Sequence, residues 1–249
     1  MSAETGATEE ATASASTTSI RRPAALALGL AVAWTAVEFA VRRGATPPLA
    51  DATGSGVGAT GVVFVVGFPL VAALVAWVGL RAGVAPADWG YDRSLRGVAA
   101  AVAGLVAYFV VLLGAAAVLS VTGTDGGTGA AAGALDAAVG AAPTWALVAF
   151  FLGNGVVVPL AEELAWRGVI QTALTEAYGP AVAVVVTAAL FVAKHLVVDL
   201  SAEPLRVVSL VALALVFGVL RARYGTTSST VAHLLANGLA TGSLVVAAL

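Results

Sequence analysis

Runs of about twenty apolar residues recur along this chain and fix its solvent before anything else. They begin near positions 23, 60, 97, 144, 180, 205 and 227. As helices rising 1.5 Å per residue, all seven cross, or with slight trimming nearly cross, a hydrocarbon core of ~30 Å. Charged residues make up only 10% of the 249 positions and hydrophobic ones 60%, which excludes an ordinary soluble domain. An all-α, polytopic transmembrane helix bundle of about seven (7–8) spans is expected, because a helix satisfies its own backbone in lipid. With no cysteine, the chain has no disulfide framework, thiolate metal site or cysteine nucleophile. Its arginines stand mainly at the ends of apolar runs, as topology signals do, and form no basic face for nucleic acid.

Residues 1–20 are rich in Ser, Thr, Ala and Glu and read as a disordered tail; 21–249 form the membrane domain. The run after Arg21-Arg22 continues to Val41 and ends on Arg42-Arg43, which reads as a span rather than a signal peptide. Glu38 in this run is expected to pair with Arg42 one turn on, in a purely structural role. A Gly/Pro-rich loop is expected at 44–59, and an interfacial segment with Trp89, Tyr91 and Arg93 at 82–96. A loop at 121–143 has room for a short Ala-rich helix. Arginines in 82–96 and 221–225, against none in 121–143, place the connections near 82–96, 179 and 224 in the cytoplasm. The first span is balanced, with an arginine pair at each end.

The fourth run, 144–178, holds Glu162-Glu163-Leu164-Ala165-Trp166-Arg167. Two carboxylates at membrane depth cost roughly 2.5–3.5 kcal/mol each on insertion scales, so they mark a functional site. Glu163 and Arg167 lie at i,i+4 and neutralise each other, while Glu162 has no cation within its own helix. Pro159 cannot donate to the carbonyl of Gly155, so irregular backbone is expected one turn before Glu162. Asn154 suits an interhelical hydrogen bond. Both histidines fall inside apolar runs, as Phe191-x-x-x-His195 and His233-x-x-x-Asn237, each pair one turn apart on one face. Glu162 and His195 each lie about 24 Å of helix from the turn at 178–179, so they are level in an antiparallel pair. His233 and Asn237 reach the same level if that first hairpin protrudes.

E-E-x-x-x-R, F-x-x-x-H and H-x-x-x-N, in this order on successive spans, resemble the CAAX prenyl endopeptidases of the Ras-converting type and their CPBP (Abi) membrane protease relatives. The resemblance covers 162–237 and implies a catalytic core at 144–249. It implies intramembrane endoproteolysis of a membrane protein or lipidated, prenylated peptide, with Glu162, Glu163, Arg167, His195, His233 and Asn237 as the site. Glu162 then serves as base, His195 orients the water, and His233 and Asn237 stabilise the oxyanion, while Glu163 and Arg167 hold the helix and balance charge. Phe191 packs above the site. Glu162, His195 and His233 also form a three-ligand set for zinc. H-E-x-x-H is absent, however, and a glutamate-activated water without metal is preferred. The alternative is a non-enzymatic membrane protein, a bacteriocin self-immunity factor or a proton-coupled transporter. A multi-pass protein of a prokaryotic cell membrane is expected, its site opening to the cytoplasm; nothing in the sequence points to nucleic acid.

Overall fold

The structure, a computed structural model, describes residues 19–92, 94–123 and 128–249, with the backbone alone over 128–132. Among the described residues every regular element is helical. The elements are α1 (Pro23–Gly44), α2 (Thr46–Thr53), α3 (Gly56–Ala82), α4 (Leu95–Val121) and α5 (Thr128–Gly140). They continue with α6 (Thr144–Tyr178), α7 (Pro180–Asp199), α8 (Pro204–Tyr224) and α9 (Thr226–Ala247). Seven of these stretches are long and apolar enough to cross a membrane, α1 and α2 counting as one. The chain is an all-α polytopic bundle.

Two expected loops are partly helical. Thr46-Pro47-Pro48 opens α2 where a Gly/Pro-rich loop was expected, because proline at the first helical positions gives up an N–H that has no partner there. The Ala-rich helix in 121–143 is α5. Of the expected tail, residues 1–18 lie outside the described residues, as does Arg93. The end of the tail is docked rather than loose: Ile20 is buried, its N–H donates to Glu176 at 3.0 Å, and Arg21 N–H donates to the Ala82 carbonyl.

The sharp reversals use glycine followed by a helix start. Gly179 (φ 78°) separates α6 from α7, and Gly225 (φ 84°) separates α8 from α9. A Cβ at Gly225 would stand 2.5 Å from the Gly90 carbonyl, so the turn packs directly on the segment between α3 and α4. That segment carries a single 3-10 turn, Pro86–Trp89. Arg221 fastens it down, donating to the carbonyls of Asp88 (2.8 Å) and Arg167 (3.2 Å) and to the Thr172 hydroxyl (2.9 Å). Arg221 precedes its turn by three residues and Thr172 precedes Tyr178 by six. The α8–α9 turn is therefore recessed and the α6–α7 hairpin protrudes, the condition that lets His233 reach the depth of the glutamates.

Helix α6 is the irregular member. Phe151–Val157 and Glu163–Ile170 are wound as π-helix on either side of five α-helical residues, Val158–Glu162. The expected irregularity near Pro159 thus takes the form of wide turns: Val158 N–H bonds the Gly153 carbonyl and Gln171 N–H the Trp166 carbonyl. Close approach to α3 makes room for the first one. A Cβ on Gly153 would lie 2.8 Å from the Gly61 carbonyl, so the crossing is built from small residues. The core beside it is aromatic, with Trp34 of α1 edge-on to Phe68 of α3 and to Trp166 of α6.

Among the described residues, Arg21, Arg22, Arg81, Arg96, Arg221 and Arg223 lie toward the face of the 82–96 connection. Arg42, Arg43 and Arg206 lie toward the opposite face.

Candidate active site

Glu162 and Glu163 sit in the middle of α6, 2% and 0% exposed, and the wide turn that begins at Glu163 aims them at different neighbours. Glu163 faces α9 and its own helix. Its Oε1 accepts from His233 Nδ1–H at 2.9 Å and lies 3.3 Å from Arg167 Nη1, one turn below. Arg167 is fully buried, its guanidinium 4.5 Å from the Phe191 ring centroid and 5.3 Å from that of Phe217. Aromatic faces thus supply part of what water would give a buried guanidinium. The local pairing expected for Glu163 is present, with His233 as a second partner.

Glu162 differs from expectation. It is short of a cation only within its own helix, because Lys194 of α7 makes a direct ion pair with its Oε1. Lys194 is itself 1% exposed and lies 3.1 Å from Glu38 Oε2, on α1. Glu38 is buried, accepts from Trp34 Nε1–H at 2.8 Å and approaches Arg42 at 3.4 Å. The expected Glu38–Arg42 contact is there, but the role is wider than a local pair. Arg42 continues to Asp199 at 2.9 Å, and Asp199 also pairs with Arg206. Among the described residues, four acids (Glu38, Glu162, Glu163, Asp199) thus face four cations (Arg42, Arg167, Lys194, Arg206).

His233 stands between the two glutamates. Its Nδ1–H is held by Glu163, its ring stacks on Phe217 at 4.6 Å, and its Nε2 points to Glu162 Oε2 at 3.9 Å. That separation is too long for a hydrogen bond. It is the distance between two groups that each hold one water at ~2.8 Å with a right angle at the water. The carboxylate on Nδ1 fixes the tautomer, so Nε2 is the atom offered to the gap.

His195 and Asn237 lie on the same inward surfaces but are engaged elsewhere. His195 is half-buried, donates through Nδ1–H to the Phe191 carbonyl at 2.8 Å, and packs on the Phe191 ring at 4.6 Å. Among the described residues no hydrogen bond joins it to Glu162 or His233. Asn237 donates to the Asn154 carbonyl at 3.0 Å, and Asn154 donates to Thr241 at 2.8 Å. One face of α9 therefore runs down α6 as His233, Asn237 and Thr241, and Asn154 makes the interhelical bond expected of it. Phe191 is a spacer, with Arg167 on one side, Lys194 at 5.1 Å, and Trp166 edge-on at 5.3 Å.

The expected mouth implies an opening among the 82–96, 179 and 224 connections, where Arg221 and the Gly90–Thr226 contact close the bundle. A cavity of about 800 Å³ lies at the other end. Arg42, Thr46, Phe64, Phe150, Asn154 and Arg206 line it, and at Asn154 it meets the residue that Asn237 holds. On the closed side, the half-exposed Tyr91 has its phenol pushed up to about 12, by burial first and by the charge of Glu163 second. Its hydrogen bond with Thr230 and the nearby Arg221 oppose that shift.

The zinc set does not assemble. Among the described residues no three His, Asp or Glu side chains form a group able to hold a metal ion. The carboxylate such an ion would need already touches the Lys194 ammonium, and a dication there would meet a like charge.

Residues 144–239 match the family model of the type II CAAX prenyl endopeptidases, Rce1-like. This part of the chain is an Rce1-like domain. No curated protein and no solved structure matches the chain. The Rce1-like domain contains Glu162, Glu163, Arg167, His195, His233, Asn237 and also Lys194, whereas Glu38 comes from outside it. Lys194 and Glu38 are the charged neighbours of Glu162 that motif reading passed over. Their signal was available: Lys194 is the chain's one lysine, in the middle of an apolar run and next to His195. Glu38 and Lys194 also lie fifteen and fourteen residues into their helices, hence at one depth.

Proposed function

We propose that this protein is an intramembrane endopeptidase of the CAAX prenyl protease type, acting on a membrane-associated or prenylated substrate through a glutamate-activated water. The observation that carries the reading is the 3.9 Å gap between Glu162 Oε2 and His233 Nε2, with every other nearby atom of the pair already tied. A water in that gap donates to Glu162 and meets His233 on its other side. As it attacks a peptide carbonyl, Glu162 takes its proton and returns it to the leaving amine, the two steps a peptide bond requires. His233, oriented by Glu163 as a carboxylate orients a ligand or catalytic imidazole elsewhere, keeps the water in place. Asn237 has a second amide N–H beyond the one it gives to Asn154, and it is the candidate donor to the oxyanion. His195, held through Nδ1–H by the Phe191 carbonyl, has Nε2 left over to take the substrate side of the gap. The cavity beside Asn154 is the route by which an extended peptide reaches these groups.

The test is product identification. Purified protein in detergent is incubated with a peptide carrying a farnesylated cysteine near its C-terminus, and the fragments are read by mass spectrometry. A single new cleavage near the prenyl cysteine, absent with Glu162→Gln, is the expected result. An intact peptide, together with no fragment differences between membranes holding wild-type and Glu162→Gln protein, overturns the reading.

A further inference from the structure

Lys194 touches Glu162 and Glu38 together, and neither motif logic nor the family match assigns anything to that contact. We infer that Lys194, backed by Glu38, is a positioning residue for Glu162: it ties one carboxylate oxygen and turns the other toward His233. This rests on the peptidase reading for its kinetic consequence, though not for its structural one.

An unpaired carboxylate is costly in an apolar interior. A buried carboxylate is stabilised when a cation makes direct contact with it. Arg167 is not available to it, since its contact is with Glu163 at 3.3 Å and the Phe191 and Phe217 rings flank its guanidinium. His233 Nε2 stops 3.9 Å short and its Nδ1–H belongs to Glu163. The ammonium of Lys194 is the cation that makes direct contact. Alone, a lysine so close would bind the carboxylate tightly enough to weaken it as a base. Glu38 answers that by sharing the same ammonium at 3.1 Å, while Trp34 and Arg42 hold Glu38 in place. One positive charge thus serves two acids from two different helices. The geometry divides the carboxylate: Oε1 for Lys194, Oε2 for the gap. The register of α1 against α7 therefore sets the aim of Glu162, which ties the first span to a site otherwise contained in 144–239.

The experiment uses the full chain in detergent with Lys194→Met, Lys194→Gln, Lys194→Arg and Glu162→Gln. Infrared difference spectra identify the Glu162 carboxyl by its loss in Glu162→Gln, and turnover is measured on the farnesylated peptide in parallel. The Glu162 band is expected to shift from its wild-type position in Lys194→Met and Lys194→Gln, as the lost contact lets the carboxyl turn. It should return toward that position in Lys194→Arg. The kcat should fall roughly 10–100-fold in the neutral variants with KM within about twofold, since a displaced base costs chemistry rather than binding, and Lys194→Arg should recover most of it. A purely structural lysine would lower melting temperature and the yield of folded protein without changing the Glu162 band or kcat per folded molecule. That result overturns the inference, as does an unmoved Glu162 band in a folded Lys194→Met or Lys194→Gln protein. If wild type leaves the peptide intact, the peptidase reading fails, and the infrared comparison alone decides the role of Lys194.

Discussion

Replacing Glu163 by Gln removes the carboxylate charge in contact with Arg167 and leaves only a neutral amide oxygen to accept from His233 Nδ1–H. Arg167 and Glu163 are both fully buried, so no solvent replaces the lost partner. Breaking a buried pair by removing one member typically costs ~3–5 kcal/mol. The Phe191 and Phe217 faces flank the guanidinium in wild type and variant alike, so their attraction does not offset the loss. At ~2–4 °C per kcal/mol for a chain of this size, the melting temperature should fall by ~6–20 °C. Glu162→Gln is a different perturbation. Lys194 keeps Glu38 at 3.1 Å, so its charge stays compensated, and amide replaces acid at equal volume. That variant should melt within a few degrees of wild type yet lose turnover by ~10²–10⁴, the cost of a positioned base. The assay is a melting curve and a single-turnover rate for both variants in one detergent. Equal destabilisation of the two, or a Glu163→Gln protein as stable as wild type, would refute the division of labour between the adjacent acids.

Cleavage should survive EDTA and phenanthroline, because Lys194 occupies the place of a cation at Glu162; inhibition reversed by added zinc would contradict this. The chain has no cysteine, so single cysteines report topology cleanly. By the arginine bias, Arg96→Cys should resist a membrane-impermeant maleimide in whole cells while Thr46→Cys, at the cavity, is labelled. The reverse pattern would put the cavity in the cytoplasm. Tyr91 should ionise at about 12 instead of 10.0, measured as the ultraviolet tyrosinate signal lost in Tyr91→Phe. Its folded value is raised, so the stability it contributes is full below pH 10 and is lost as pH climbs toward 12. A midpoint near 10 would remove Tyr91 from the neighbourhood of Glu163.

Apolar periodicity was enough to place all seven spans within a few residues, because length and hydropathy alone decide what crosses a bilayer. The Glu163–Arg167 pair was equally legible, since it is local to one helix. What stayed hidden depends on neighbours brought together by folding. Lys194 and Glu38 sit 156 residues apart in the chain, and nothing local to either shows that they share Glu162. Treating Glu162 as free followed from looking only along its own helix. The two π-helical stretches were half visible: Pro159 announces irregular backbone, but whether it bends or widens depends on how closely Gly61 and Gly153 let α3 approach. The placement of the cavity is also a matter of packing, because Arg221 and the recessed α8–α9 turn close one end of the bundle and leave the other open.

Whether Glu162 and His233 share the reacting water is tested most directly by single-turnover cleavage of a farnesylated peptide by wild type, Glu162→Gln, His233→Ala and the double variant. Wild type should cut the peptide. Each variant should be slower by at least ~10² while still folded, and the double variant should be no worse than the slower single, as expected of two groups acting on one water. Rate losses that multiply in the double variant, or a Glu162→Gln protein that cuts as fast as wild type, would contradict the claim that these two residues share the reacting water.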